Sequence, residues 1–177
     1  KAIPISQIAL ATFVSHIEDD YNGLGENYLH FNQFWAPYIL LVFKLGNKLL
    51  IYDISSKGVS GVPDFMIRNN VNILTSYTAM FRQIRNLGVR KVPSLNAITL
   101  VGEPVQKSDA QYFEAISNQG ATLFASYGAS EYHTIARYIY THSTDLRQSI
   151  LPAGSVYAGI DLRVVDQEYK KVFPLIT

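Results

Sequence analysis

Apolar residues fall into short runs that switch between two periods along the chain. Leu10, Phe13, Val14 and Ile17 repeat at helical spacing after Pro4 and Ser6, and Ser6 is a suitable N-cap. The polar run Glu18-Asp19-Asp20, with Asn22-Gly23, is expected to end that helix. Tyr28 to Phe31 predicts a short strand. Phe34 to Leu45 is apolar nearly all round and long for a strand, so it predicts a buried helix with Pro37 in its first turn and Gly46-Asn47 as its stop. Lys48 to Tyr52 predicts a strand, Val62, Phe65 and Met66 a short helix, and Asn72 to Ser76 another strand. Met80, Ile84 and Leu87 return to helical spacing before Gly88. Ala97 to Val101 is the clearest strand, and Gly102-Glu103-Pro104 breaks it. Ser108-Asp109-Ala110-Gln111 has the form of a capping box ahead of the stripe Ala110, Phe113, Ile116. Gly120 closes that helix, and Ala121 to Phe124 opens the next strand. His133 to Tyr140 and Asp161 to Val165 read as later strands.

Strand and helix thus alternate along most of the chain. That order predicts an α/β fold with a mainly parallel sheet and helices on both faces. Parallel strands put their carboxyl ends on one edge, where open α/β sheets bind ligands. Two of those ends carry unusual residues: Gly102-Glu103-Pro104 and Tyr127-Gly128-Ala129-Ser130-Glu131. Glycine lets a flat group approach the backbone, and Tyr127 can stack on it. Ser130 offers a hydroxyl to a phosphate, and Glu131 a carboxylate to Mg²⁺. The same residues would also serve an ordinary turn with a core tyrosine, and spacing alone leaves both readings open.

Composition narrows the field. The chain has 177 residues, 48% hydrophobic and 16% charged, which fits a folded domain and excludes a disordered one. Its net charge of +1 and lack of a basic stripe argue against nucleic acid as a partner. Without cysteine there is no disulfide, thiolate metal site or cysteine nucleophile. The longest apolar run, Tyr38 to Phe43, is too short to span a membrane, no signal peptide is visible, and a cytoplasmic location is expected. His16, His30, His133 and His142 lack close metal-ligand spacing, and there is no Gly-x-Ser-x-Gly elbow of a serine hydrolase. Beginning at Lys1 and ending at Thr177, the chain reads as a piece of something longer.

Tyr127-Gly128-Ala129-Ser130-Glu131 resembles the Tyr-Gly-x-Thr/Ser-Glu motif of the adenylate-forming superfamily. That superfamily includes acyl-CoA synthetases, nonribosomal peptide synthetase adenylation domains and luciferases. Val101-Gly102-Glu103-Pro104 resembles its Gly-Gly-Glu turn, at a fitting distance upstream. Leu45 to Leu49, Asn70 to Thr78, Leu151 to Ser155 and Leu162 to Asp166 resemble further segments in the same order, and Lys1 to Ser6 resembles the tail of the phosphate loop. Together these cover nearly the whole chain. The resemblance implies the central sheet subdomain of a carboxylate-activating enzyme, with residues 1–150 carrying half of an ATP site and 151–177 leading out of it. The glycine-rich phosphate loop, the Tyr-x-Thr-Gly-Asp segment and the small domain with the catalytic lysine are not in these residues, so the isolated chain is expected neither to adenylate nor to bind ATP tightly.

The resemblance also implies roles. Tyr127 would stack on adenine, beside Gly128 and the Gly102-Glu103-Pro104 backbone. Ser130 would contact phosphate, Glu131 would hold Mg²⁺, and Lys1 would be the phosphate-loop lysine. Asn32, Gln33, Trp35, Tyr77, Val101, Ser126, Thr134 and Ile135 fall near positions that line the acyl pocket. Peptide synthetases place an aspartate near Asn32 or Gln33 to hold an α-ammonium. The neutral amides here disfavour an ordinary α-amino acid and point to an aryl, keto or fatty acid. Implied partners are a carboxylic acid, CoA or an acyl carrier protein with its phosphopantetheine arm, and the rest of the adenylation domain. Two alternatives stand beside this reading: a non-catalytic interaction subdomain of the same fold, and an unrelated nucleotide-binding domain sharing the turn by chance.

Overall fold

The computed structural model describes residues 4–31, 36–168 and 170. Its framework is a seven-stranded sheet in the order β2-β1-β3-β4-β5-β6-β7. The strands are β1 (Asn27–Phe31), β2 (Lys48–Tyr52), β3 (Ile73–Tyr77), β4 (Ala97–Val101), β5 (Thr122–Ala129), β6 (His133–Thr141) and β7 (Ser155–Val156). The first five pair in parallel, and β6 and β7 run antiparallel to their neighbours. The helices are α1 (Gln7–Tyr21), α2 (Ala36–Lys44), α3 (Ile54–Lys57), α4 (Val62–Arg68), α5 (Thr78–Arg85) and α6 (Lys107–Ile116).

Alternation along the central strands builds two cores. Tyr28, Ile73, Ala97 and Phe124 face Phe13, Ile17 and Tyr21 of α1 and Leu41 and Val42 of α2. Their neighbours Leu29, Leu74, Ile98 and Leu123 face Met66 of α4, Phe81 of α5 and Phe113 of α6. Helices therefore cover both faces, as the alternation of elements predicts. The α1–α2 face also contains polar groups in pairs. The Tyr21 hydroxyl bonds to Thr99 and the Tyr28 hydroxyl to Thr75. Burial drives the Tyr21 phenol up to about 12 and the Tyr28 phenol well above its ordinary value, so both stay neutral.

The amino edge of the sheet is fastened by asparagines. Asn72 accepts hydrogen bonds from the backbone N–H of Glu26 and Asn27 and donates to the Ser94 carbonyl at 3.0 Å. Asn96 donates to the Leu24 carbonyl, and Asn118 to Asn96. These contacts satisfy the backbone at one edge and leave the carboxyl edge to irregular, functional chain.

Several elements differ from the sequence reading. Helix α1 runs through Glu18-Asp19-Asp20 to Tyr21, because Ile17 and Tyr21 continue its buried stripe. Asn72 precedes β3 and ties the strand ends. Helix α5 ends at Arg85, leaving Leu87 exposed. Helix α6 starts one residue before Ser108: Asp109 is its third residue and accepts the Gln106 backbone N–H at 2.9 Å, while Ser108 accepts a hydrogen bond from Arg85. Residues 161–165 form no strand in the sheet, which ends at β7; Val164 and Val165 are exposed and Arg163 pairs with Asp161. Val165 makes only an isolated bridge, and among the described residues no strand lies alongside to bury the apolar side chains.

Candidate functional site

The stretch Tyr127 to Glu131 is the tip of a β-hairpin. The sequence suggests a turn directly after Phe124, but β5 runs on to Ala129 and the turn is Ser130-Glu131-Tyr132. The pairing register shifts between Tyr127 and Gly128, a bulge that twists the tip. Gly128 is needed by the hairpin itself: a Cβ there would lie 1.9 Å from the His133 carbonyl oxygen. Close ligand approach is therefore not required to explain this glycine. His133 takes a φ of 58° just after the turn, a conformation uncommon for a side-chain-bearing residue. Gly128→Ala is expected to force the strands apart at the tip. We expect a loss of roughly 1–3 kcal/mol, read as a lower urea midpoint; an unchanged midpoint would show that the tip relaxes freely.

Beside the hairpin, the carboxyl end of β4 turns through Gly102, whose φ is 93°. Glycine is the residue that takes this conformation without strain. The turn is held from behind. Thr78 Oγ1 donates to the carbonyls of Val101 and Glu103 at 3.2 and 3.1 Å. Arg82 Nη1 pairs with the Glu103 carboxylate and its Nη2 with the Pro104 carbonyl, each at 2.9 Å. The same guanidinium forks onto Asp109, which is wholly buried and also bonded by Arg85 at 2.7 Å. The Glu103 carboxylate is thus occupied in shaping the turn.

Two cavities flank the hairpin. One, about 160 Å³, is bounded by Tyr77, Val101 and Gly102 on one side and Gly128, Ser130 and Thr134 on the other. Ser126, Tyr38 and His133 complete its wall. The second, about 350 Å³, lies between Gly102-Glu103-Pro104, Tyr127 and Leu151-Pro152-Ala153. Tyr127 is half exposed and lines this second cavity. Ser130 and Glu131 are exposed at the tip.

The carboxyl edge therefore brings together Tyr77, Val101, Gly102, Glu103, Pro104, Ser126, Tyr127, Gly128, Ser130 and Thr134, with Glu131 at its rim. Ile135 is buried and lines neither cavity. Lys1, Asn32, Gln33 and Trp35 lie outside the described residues. Sequence reasoning missed Tyr38, which is buried and hydrogen-bonded to Thr134. Leu151-Pro152-Ala153, read from sequence as an exit segment, also wall the larger cavity. Leu151 reaches there because its N–H donates to the Val105 carbonyl at 2.8 Å.

The family described as AMP-binding enzyme matches residues 1–175 of the sequence. The chain belongs to this family. Among solved structures, the AMP-binding fold of this chain is shared by IdnL7, with a TM-score of 0.73 at 21% identity over 90% of this chain and 34% of that one. A putative long-chain-fatty-acid CoA ligase from Rhodopseudomonas palustris gives a TM-score of 0.73 at 19% identity, covering 96% of this chain and 42% of that one. O-succinylbenzoate Coenzyme A synthetase (MenE) from Bacillus subtilis, in complex with AMP, gives 0.72 at 15% identity, covering 99% and 36%. The chain thus spans less than half the length of each of those structures. A comparison with curated proteins by sequence found no match. Among the described residues, no helix is long and apolar enough to cross a membrane, and no three acidic or imidazole groups cluster as a metal site.

Proposed function

We propose that the protein carrying this chain activates a carboxylic acid with ATP, forming an acyl-adenylate and pyrophosphate. The carrying observation is the meeting of the Gly102 turn and the Gly128–Ser130 hairpin in one cavity wall, within a chain matched by the AMP-binding family from end to end. The larger cavity suits adenine, with Tyr127 stacking on its face and Gly102-Glu103-Pro104 along its edge. The smaller one suits the carboxylate and its tail. Between them the Ser130 hydroxyl donates to a phosphate oxygen. The resemblance assigns Asn32, Gln33 and Trp35 to the acyl substrate and Lys1 to the phosphates.

A single exposed carboxylate beside a hydroxyl fits Mg²⁺ held chiefly by phosphate oxygens, so Glu131 is the residue that would hold it. Bound there, the ion supplies charge neutralisation of the phosphates. The chain's own residues contribute mainly position: they hold carboxylate and α-phosphate within attacking distance and exclude water around them. The acyl group then passes to the thiol of CoA or of a carrier protein's phosphopantetheine arm. The neutral amides of Asn32 and Gln33 favour an acid without an α-ammonium.

The test is ATP–pyrophosphate exchange by the full protein against a panel of carboxylic acids. Exchange that requires one class of acid is expected. Exchange with none would leave the non-catalytic interaction subdomain as the better reading.

A further inference from the structure

The strand order β2-β1-β3 turns back on itself at β1. Helix α2 leaves the carboxyl end of β1 over one face of the sheet and α5 leaves that of β3 over the other. The carboxyl ends of β1 and β3 therefore part and leave a crevice, the usual ligand position in an open α/β sheet. A cavity of about 60 Å³ lies there. Phe31, Ile54, Met80 and Val101 make most of its wall apolar.

His30 breaks that pattern. It lines the cavity, yet neither ring nitrogen reaches solvent or finds a hydrogen-bond partner among the described residues. Its ring packs edge-on against Tyr38, with centroids 5.6 Å apart. The two small hydroxyls of the wall are engaged: Thr75 bonds to Tyr28, and Ser76 donates to the Tyr77 carbonyl at 3.0 Å. Buried polar atoms in folded proteins are nearly always paired. An orphaned imidazole in a cavity wall marks a place where the partner arrives with the ligand, once the ring turns a nitrogen towards the cavity.

The chemistry of that partner follows from the wall. Burial pushes the His30 imidazole below the ordinary histidine value, which keeps it neutral with one N–H donor and one acceptor nitrogen. No carboxylate, lysine or arginine stands among the described wall residues to accompany a charged group. A hydroxyl can both give and accept a hydrogen bond, so it suits either nitrogen. The cavity shares Tyr38, Tyr77 and Val101 with the 160 Å³ cavity beside the hairpin, so one acyl group can occupy both.

We propose that His30 is a specificity-determining residue, selecting a carboxylic acid whose tail carries an uncharged hydroxyl. This rests on the acyl-adenylate reading above. The experiment is pyrophosphate exchange by the full protein with matched pairs: hydroxybenzoates against benzoate, and hydroxyhexanoates against hexanoate. The expected result is a kcat/KM at least about tenfold higher for a hydroxylated member of one pair, because a site built to bond a hydroxyl leaves its own groups unpaired when the hydroxyl is missing. The responding pair tells a phenol from an aliphatic alcohol. His30→Leu should bring the ratio to about one, and His30→Asn should keep part of it. The wild-type ratio stands as a test even if a variant fails to fold. Acids without a hydroxyl working as well or better, or a ratio unmoved in His30→Leu, would overturn the assignment. No exchange with any acid would instead remove the acyl-adenylate reading, and this inference with it.

Discussion

Asp109→Ala is expected to destabilise the protein by roughly 3–5 kcal/mol, the usual cost of removing one partner from a buried ion pair. Asp109 is fully buried at the start of α6 and is the common acceptor for Arg82, Arg85 and the Gln106 backbone N–H. Its loss leaves two partly buried guanidiniums facing each other without their anion, and a helix end without its acceptor. Asp109→Asn retains one acceptor oxygen and should fall between the two. The effect reaches the site, because Arg82 also holds Glu103 and the Pro104 carbonyl. With Arg82 released, the turn bordering the larger cavity loosens, and KM for ATP should rise more than kcat falls. Chemical denaturation and steady-state kinetics of the same variants check both parts. A stability change under about 1 kcal/mol would place this network with ordinary surface pairs.

Glu131→Ala in the full protein should lower kcat for adenylate formation by on the order of 10²-fold, the scale for removing one group that stabilises charge in a transition state. Glu131 is exposed at the hairpin tip, away from both cores, so the fold should survive its loss. The Mg²⁺ dependence should move with the rate: Glu131→Ala should need a higher Mg²⁺ concentration for half-maximal exchange, while KM for the acid changes little. Wild-type turnover with an unchanged Mg²⁺ profile would remove Glu131 from the mechanism.

The parallel sheet was readable because Ala97 to Val101 is apolar but for Thr99, as a strand buried on both faces tends to be, and because short strands alternate with helical stripes. The helix stripes on α1 and α6 were readable for the same reason. The hairpin was less so. Tyr127-Gly128-Ala129 shows no burial alternation, and its strand character comes from pairing with β6 far along the chain. The late segment Asp161 to Val165 failed in the opposite way: it alternates, but among the described residues no neighbouring strand is available. The site residues named from the motif do meet at one edge. His30 was passed over because its interest lies in what surrounds it, a helix residue, Tyr38, and a crevice created by strand order. Neither is a property of adjacent sequence. Asp109 was read as part of a cap, which it is, but its two arginines arrive from α5.

The most direct measurement is a structure of the full protein with a non-hydrolysable acyl-adenylate analogue. The account predicts adenine on the face of Tyr127, bordered by Gly102-Glu103-Pro104, the phosphate mimic at Ser130, and the acyl group running past Tyr77 and Val101 towards His30. Adenosine bound elsewhere, or an acyl group that leaves the crevice between β1 and β3 empty, would contradict it.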